Sequence, residues 1–201
     1  ESYSVMSGNG MSREELTERP LSRVGRRPIM IPSGVEVDIL SNGVAIKGPK
    51  GTLIQNYHPE VKVSVQDDQV LVERFSNRKF HHSLHGLTRS LIANGITGVT
   101  EGYTKTLDLM GVGYRVQQSG EGIVLSVGYS HVVDMQPLEG VTLVVEGTSR
   151  IVVSGIDKQK VGQQAALIRR VRPPNAYKEK GIKYSDEILR YKPGKTAARS
   201  A

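Results

Sequence analysis

Between Ile29 and Glu73 hydrophobic and polar positions alternate with a period of two. Val35, Val37 and Ile39 share one face, Asn42-Gly43 supplies a hairpin turn, and Val44 and Ile46 resume the alternation, as half-buried strands require. Gly48-Pro49-Lys50-Gly51 breaks the pattern before a further strand at Thr52–Gln55. Val61, Val63 and Val65 predict another strand, Asp67-Asp68 a turn, and Val70 and Val72 the returning strand. The period then lengthens. Phe80, Leu84, Leu87 and Leu91 recur at helical spacing behind Asn77, a good N-cap, so a helix with that apolar stripe is expected. It should fray near Asn94-Gly95 and give way to a linker over Gly98–Gly102.

The same succession then returns. Leu107 and Leu109 open a strand, Gly111-Val112-Gly113 bends it, and Tyr114–Gln117 continues it; Gly120-Glu121-Gly122 turns into Ile123–Val127. Val141, Leu143 and Val145 alternate, Gly147-Thr148-Ser149 turns, Ile151 and Val153 close the set, and a second helix is expected from just after Asp157 to about Val171. At an offset of 80, Val61, Val63 and Val65 fall on Val141, Leu143 and Val145, and Leu71 and Val72 on Ile151 and Val152. Asn77 falls on Asp157, Leu87 on Leu167, Arg89 on Arg169 and Leu91 on Val171. Fixed-offset similarity of this kind points to a tandem duplication in an α+β fold, each copy a small antiparallel sheet covered by one helix.

Charge separates the two copies. The chain carries a net +7, yet residues 155–201 alone hold twelve Lys and Arg against four Asp and Glu, a net of +8. Residues 29–154 hold ten basic and twelve acidic groups, a net of −2. A one-sided basic segment threaded with Tyr177 and Tyr184 favours a polyanion, most simply nucleic acid. Pro173-Pro174 ends the second helix, and residues 175–201 are expected to form an extended basic arm, disordered until it meets RNA. On the second helix and this arm, Lys158, Lys160, Arg169, Arg172, Tyr177, Lys178, Lys180, Lys183, Tyr184, Lys192 and Lys195 are the candidate RNA-binding residues, Lys and Arg for phosphates and Tyr for stacking on bases. Lys158 and Lys160 stand in the first helical turn, where cations oppose the helix dipole and make sense if phosphate binds there. A second basic arm at residues 21–28, with Arg23, Arg26 and Arg27, and the strand residue Arg115 are candidate secondary contacts. Residues 1–20, net −2, are expected to be a disordered extension.

Other chemistry finds little support. The chain has no cysteine and no run of apolar residues long enough to span a membrane. With two Phe and no Trp, its cores must be aliphatic. His81, His82 and His85 bring two imidazoles to one helix face, but no third ligand accompanies them. Gly111-Val112-Gly113 lacks the third glycine and the following helix of a dinucleotide loop, and Gly48-Pro49-Lys50-Gly51 lacks phosphate-loop spacing. The carboxylates of Asp67-Asp68 and of Asp186-Glu187 are neighbours expected to point outward into water, unlike a facing acid and base. An RNA-processing enzyme would need convergent catalytic groups, and an adaptor protein an apolar rather than basic surface. No catalytic residue, metal, cofactor or small-molecule substrate is therefore expected.

Several segments carry a family resemblance. Ser154-Gly155-Ile156-Asp157-Lys158-Gln159-Lys160-Val161-Gly162-Gln163, with Ala165-Ala166, Ile168-Arg169 and Tyr177-Lys178-Glu179-Lys180-Gly181-Ile182-Lys183-Tyr184, resembles the signature of large-subunit ribosomal protein six, bacterial type. Ser22–Ile29, Lys47–Gly51, Ser83–Ile92 and Gly111–Arg115 agree with it, so that the resemblance spans residues 21 to about 195. It implies a duplicated fold whose second copy and C-terminal arm grip large-subunit ribosomal RNA. The implied position is near the sarcin–ricin loop and the docking region of translational GTPases, among neighbouring ribosomal proteins, on a cytoplasmic or organellar ribosome. Asn175-Ala176 departs from the family's usual Glu-Pro, and Glu179 from its usual Gly, which subtracts a charge from the arm. The expected organisation is an extension at 1–20, one repeat over 21–102, a second over 103–174, and a basic tail over 175–201.

Overall fold

The computed structural model describes residues 22–66 and 68–195; the expected N-terminal extension lies outside them. The chain divides into two compact units between Ile96 and Thr97.

The first unit holds β1 (Ile29–Met30), β2 (Glu36–Leu40), β3 (Gly43–Gly48), β4 (Gly51–Asn56), β5 (Val61–Gln66) and β6 (Gln69–Arg74). Its strands form two antiparallel sheets of order β1-β6-β5 and β2-β3-β4. Register follows the alternation: Val63 stands opposite Val72 and Val65 opposite Val70, and Val44 and Ile46 are fully buried. Helix α1 (Lys79–Thr100) follows.

The second unit repeats this plan. β7 (Tyr103–Met110), β8 (Arg115–Ser119), β9 (Gly122–Ser126), β10 (Val133–Met135), β11 (Val141–Glu146) and β12 (Arg150–Gly155) precede α2 (Lys158–Val171). Strand order is β11-β12-β7 in one sheet and β10-β9-β8 in the other, the same connectivity as in the first unit. The duplication expected from the offset is thus present strand for strand. Asp157 caps α2, its Oδ1 accepting the Gln159 N–H at 2.8 Å. One face of α2 buries Val161, Gln164, Ala165 and Ile168 against β7, β12 and a further strand, β13 (Gly181–Tyr184). Gln164 is satisfied there: its Oε1 accepts the Leu138 N–H and its Nε2 donates to the Gln136 carbonyl, each at 3.2 Å.

Four expectations need correction. First, α1 neither frays at Asn94-Gly95 nor yields to a linker at Gly98. A Cβ on Gly95 would lie 2.6 Å from Ile46 Cδ1, and one on Gly98 would collide with the Ile156 carbonyl, so these glycines admit close neighbours rather than end the helix. Second, the buried face of α1 is His85, Thr88, Ile92, Ile96 and Val99, while Phe80 and Leu87 are more than half exposed. Two polar residues inside the core shifted the periodicity reading by one position. His85 is held there by donating Nε2–H to the Val72 carbonyl at 2.8 Å.

Third, the basic segment after the N-terminal extension is a tight turn rather than an arm. The Ser22 hydroxyl accepts the Gly25 N–H at 2.8 Å, and Arg26 N–H donates to the Ser22 carbonyl at 3.1 Å. Gly25 sits so close to the His85 ring that a Cβ would lie 2.5 Å from its Nδ1. Fourth, the described part of the C-terminal arm is not free. β13 pairs antiparallel with β7, Ile182 opposite Leu109, and the Ile182 side chain is fully buried. Pro173-Pro174 ends the helix as expected, but the chain turns back to complete a sheet.

Candidate nucleic-acid interface

Arg172, the residue after α2, precedes the two prolines that stop the helix. The next six residues fold into a closed turn. Asn175 Oδ1 accepts the N–H groups of Tyr177 and Lys178 at 2.8 and 3.1 Å, an Asx turn. Asn175 N–H donates to the Lys180 carbonyl at 2.9 Å, and Ile182 N–H to the Arg172 carbonyl at 2.8 Å. Glu179 takes a left-handed conformation, φ +56°, which explains why glycine suits this step.

The turn walls a cleft of about 310 Å³ lined by Tyr129, Arg172, Pro173, Asn175, Lys178 and Lys180. Arg172 lies over the Tyr129 ring, 4.9 Å from its centroid. The phenol donates to the Val171 carbonyl at 2.9 Å, and the ring stacks on His131 at 5.6 Å and 11°. Hydrogen bonds to the Tyr129 and Tyr114 side chains hold the Arg172 guanidinium above its ordinary range. Arg172 thus stays beside the two phenols, and like any guanidinium it carries its charge throughout the physiological range. Among the described residues neither Lys178 nor Lys180 meets a carboxylate, and both are exposed. Tyr177, 62% exposed, stands on the same turn.

The other expected residues are distributed differently. Lys158 and Lys160 lie at the far end of α2, about 20 Å away along a helix of fourteen residues. Lys158 Nζ sits over the Tyr103 ring at 5.5 Å, and Lys160 pairs with Glu139 at 3.8 Å. Arg169 is engaged by Glu187 through two hydrogen bonds of 2.6 and 3.2 Å. It also stands over the Tyr184 ring, 5.6 Å from the centroid, as does Lys105. Glu187 therefore faces inward, contrary to the expectation for an acidic pair in a turn, and its Oε2 also accepts the Tyr184 N–H at 3.3 Å. Lys183 Nζ donates to the Glu187 carbonyl at 3.5 Å. Lys192 returns its N–H to the Ala176 carbonyl at 3.0 Å, and Lys195 is exposed. Arg23, Arg26, Arg27 and Arg115 are exposed, the first three on the N-terminal turn and Arg115 at the start of β8.

Sequence reasoning missed Tyr129 and His131. They follow Gly128 in a loop with no period, and only the fold carries that loop to the end of α2. Elsewhere, His81 joins Glu60 at 3.0 Å and the Ser76 hydroxyl. Ser76 also accepts the Arg78 N–H at 3.3 Å ahead of α1, so the group serves the start of the helix. His85 faces Val72 and Ser22 instead, and no metal-ligating group of three exists among the described residues.

The model of the family described as ribosomal protein L6 matches residues 31–102 and 110–185, one segment on each copy. The large ribosomal subunit protein uL6 of Caldicellulosiruptor bescii is 55% identical over 175 residues, 87% of this chain and 96% of that protein. Its counterpart from Carboxydothermus hydrogenoformans is 53% identical over 179 residues, 89% of this chain and 98% of that protein. That of Clostridium beijerinckii is 50% identical over 180 residues, 89% of this chain and all of that protein. With both copies matched and about half of all positions shared along nearly the whole length of these relatives, the chain belongs to the ribosomal protein L6 family.

Proposed function

We propose that this protein is a non-catalytic, structural component of the large ribosomal subunit that holds large-subunit ribosomal RNA through its second unit. The observation that carries the reading is the cleft at the end of α2, where Arg172, Lys178 and Lys180 converge beside Tyr129 and Tyr177. Cations without acidic partners gain most from phosphate, because binding releases the counterions condensed on RNA. Lys158, Lys160, Arg169, Lys183 and Tyr184 already have partners within the chain and contribute less. Lys192, Lys195 and Arg115 form the outer electrostatic field.

The test is co-sedimentation of the tagged chain with ribosomal subunits, intact and as the variant K178A/K180A. The intact chain is expected to travel with the large subunit through a high-salt wash, and the variant to be lost from it. Two lost phosphate contacts lower the salt slope of RNA binding by about 1.4–1.8 log units. An unchanged slope would remove these lysines from the interface. The finer position, near the sarcin–ricin loop and the docking region of translational GTPases and among neighbouring ribosomal proteins, is part of the same proposal. Chemical probing of assembled subunits tests it: the loop should be protected only when the chain is present.

A further inference from the structure

The register of the β7–β13 ladder sets Met110 opposite Gly181. The loop leaving β7 and the turn entering β13 therefore emerge from the same end of one sheet. A Cβ placed on Gly111 would lie 3.3 Å from Lys180 Cγ and 3.2 Å from Tyr114 Cγ, so this loop rests against the lysine stem. Tyr114 N–H donates to the Gly111 carbonyl at 3.2 Å, closing a four-residue turn. Gly113, with φ +81°, takes the conformation that a type II turn demands at its third position. Val112 is left at the apex with its side chain 93% exposed.

A single exposed aliphatic residue is ordinary on a protein surface. Val112 differs in its mounting and its company. It stands on a turn closed by a backbone hydrogen bond, between two glycines of positive φ. Lys180 touches the base of that turn, Tyr114 beyond it bonds to Arg172, and Arg115 follows on β8. An apolar tip with a lysine stem at its base suits a ligand that offers a shallow surface between phosphates. A-form RNA has such a surface in its minor groove, which is wide and shallow and displays ribose edges with their 2′-hydroxyls beside the base edges, whereas its major groove is too deep and narrow to enter.

We infer that the Val112 isopropyl group seats in the minor groove of an RNA duplex, as an apolar contact between the phosphates held by Arg172, Lys178 and Lys180. The inference rests on the RNA-binding reading above and adds to it the groove and the contact. It makes duplex form, rather than charge alone, part of what the surface recognises.

The experiment titrates the full chain with a 20-base-pair RNA duplex and with the DNA duplex of the same sequence, at several salt concentrations. V112A is expected to weaken RNA binding about three- to tenfold, as loss of a partly buried isopropyl group should. Its salt slope should equal that of the unsubstituted chain, and its weaker DNA binding should not change. V112T, which keeps the shape and replaces a methyl with a hydroxyl, should show an intermediate loss and provides a second variant if V112A is misfolded by circular dichroism. If both variants bind RNA as the unsubstituted chain does while K178A/K180A loses salt slope, the Val112 contact is wrong and the RNA-binding cleft stands. If K178A/K180A keeps its slope, the cleft reading fails and this inference with it. Equal losses on RNA and DNA would overturn recognition of the A-form groove.

Discussion

Glu179 stands between Lys178 and Lys180 and holds φ +56° at the bend of the turn that presents them, a conformation costing a side-chain-bearing residue about 1–2 kcal/mol. E179G is therefore expected to raise the melting temperature by the equivalent of about 1 kcal/mol, part of the gain being offset by glycine's freedom in the unfolded chain. It should also tighten RNA binding, since it removes the carboxylate between two cations. Asn175 works in the opposite sense. Its side chain accepts two backbone N–H groups, so N175A should loosen the turn by about 1 kcal/mol, and RNA affinity should fall although no charge is altered. His85 makes a third prediction. Burial is the main cause holding its imidazole below the ordinary 6.5, and nearby Arg74 and His82 add to it against hydrogen bonds with the Val72 and Gly25 backbone. The neutral ring is the folded form, so its contribution is complete above pH 6.5 and is lost as pH falls from there towards the depressed value. Chemical denaturation between pH 7 and pH 5 should show that loss, and H85Q, which does not titrate, should flatten it.

At the scale of elements, sequence was a good guide to where strands lie: the period-two runs became β2, β3, β5, β6, β11 and β12, and Asp157 marks the start of α2. Burial follows the alternation in β5, β6, β11 and β12, whereas β3 buries Val44, Ala45 and Ile46 alike and β2 leaves Ile39 and Leu40 exposed. Sequence was a poor guide where burial and polarity part company. The apolar stripe of Phe80, Leu84, Leu87 and Leu91 suggested the wrong face of α1, because the core instead accepts His85 and Thr88. β13 was hidden for a related reason. Gly181-Ile182-Lys183-Tyr184 offers one aliphatic side chain among cations, and nothing local tells a docked edge strand from a solvated arm. Only pairing with β7 decides it. I182A is expected to destabilise the second unit by about 2–5 kcal/mol, as a fully buried Ile→Ala change does, with the loss read from urea unfolding. A chain cut after Pro174 loses this strand together with its charges. Failure of that truncation to bind RNA would thus report lost structure as well as lost lysines, which is why the paired lysine variant is the cleaner probe.

At the scale of the whole molecule, the tandem repeat was legible because identical connectivity imposes similar hydrophobic spacing on both copies. The charge excess towards the C-terminal end was legible because charge, unlike packing, is visible in composition. The location of the cleft was not. It depends on three segments far apart in sequence, around Gly111, Tyr129 and Arg172, being delivered to one end of one sheet. The two copies also differ at the sheet edge where this happens. β7 runs for eight residues, whereas β1, its equivalent, has only two. Twin halves on one chain invite mistaken identity, because a strand made for one can settle on the matching rim of the other. Synthesis proceeds from the N-terminus, so the rim at β1 is on offer long before Gly181–Tyr184 has been made. Its stump gives a four-residue strand too little to grip. The late strand pairs along all four of its residues at β7, where β1 offers only two, so the unequal rims favour the right copy independently of how the two cores differ.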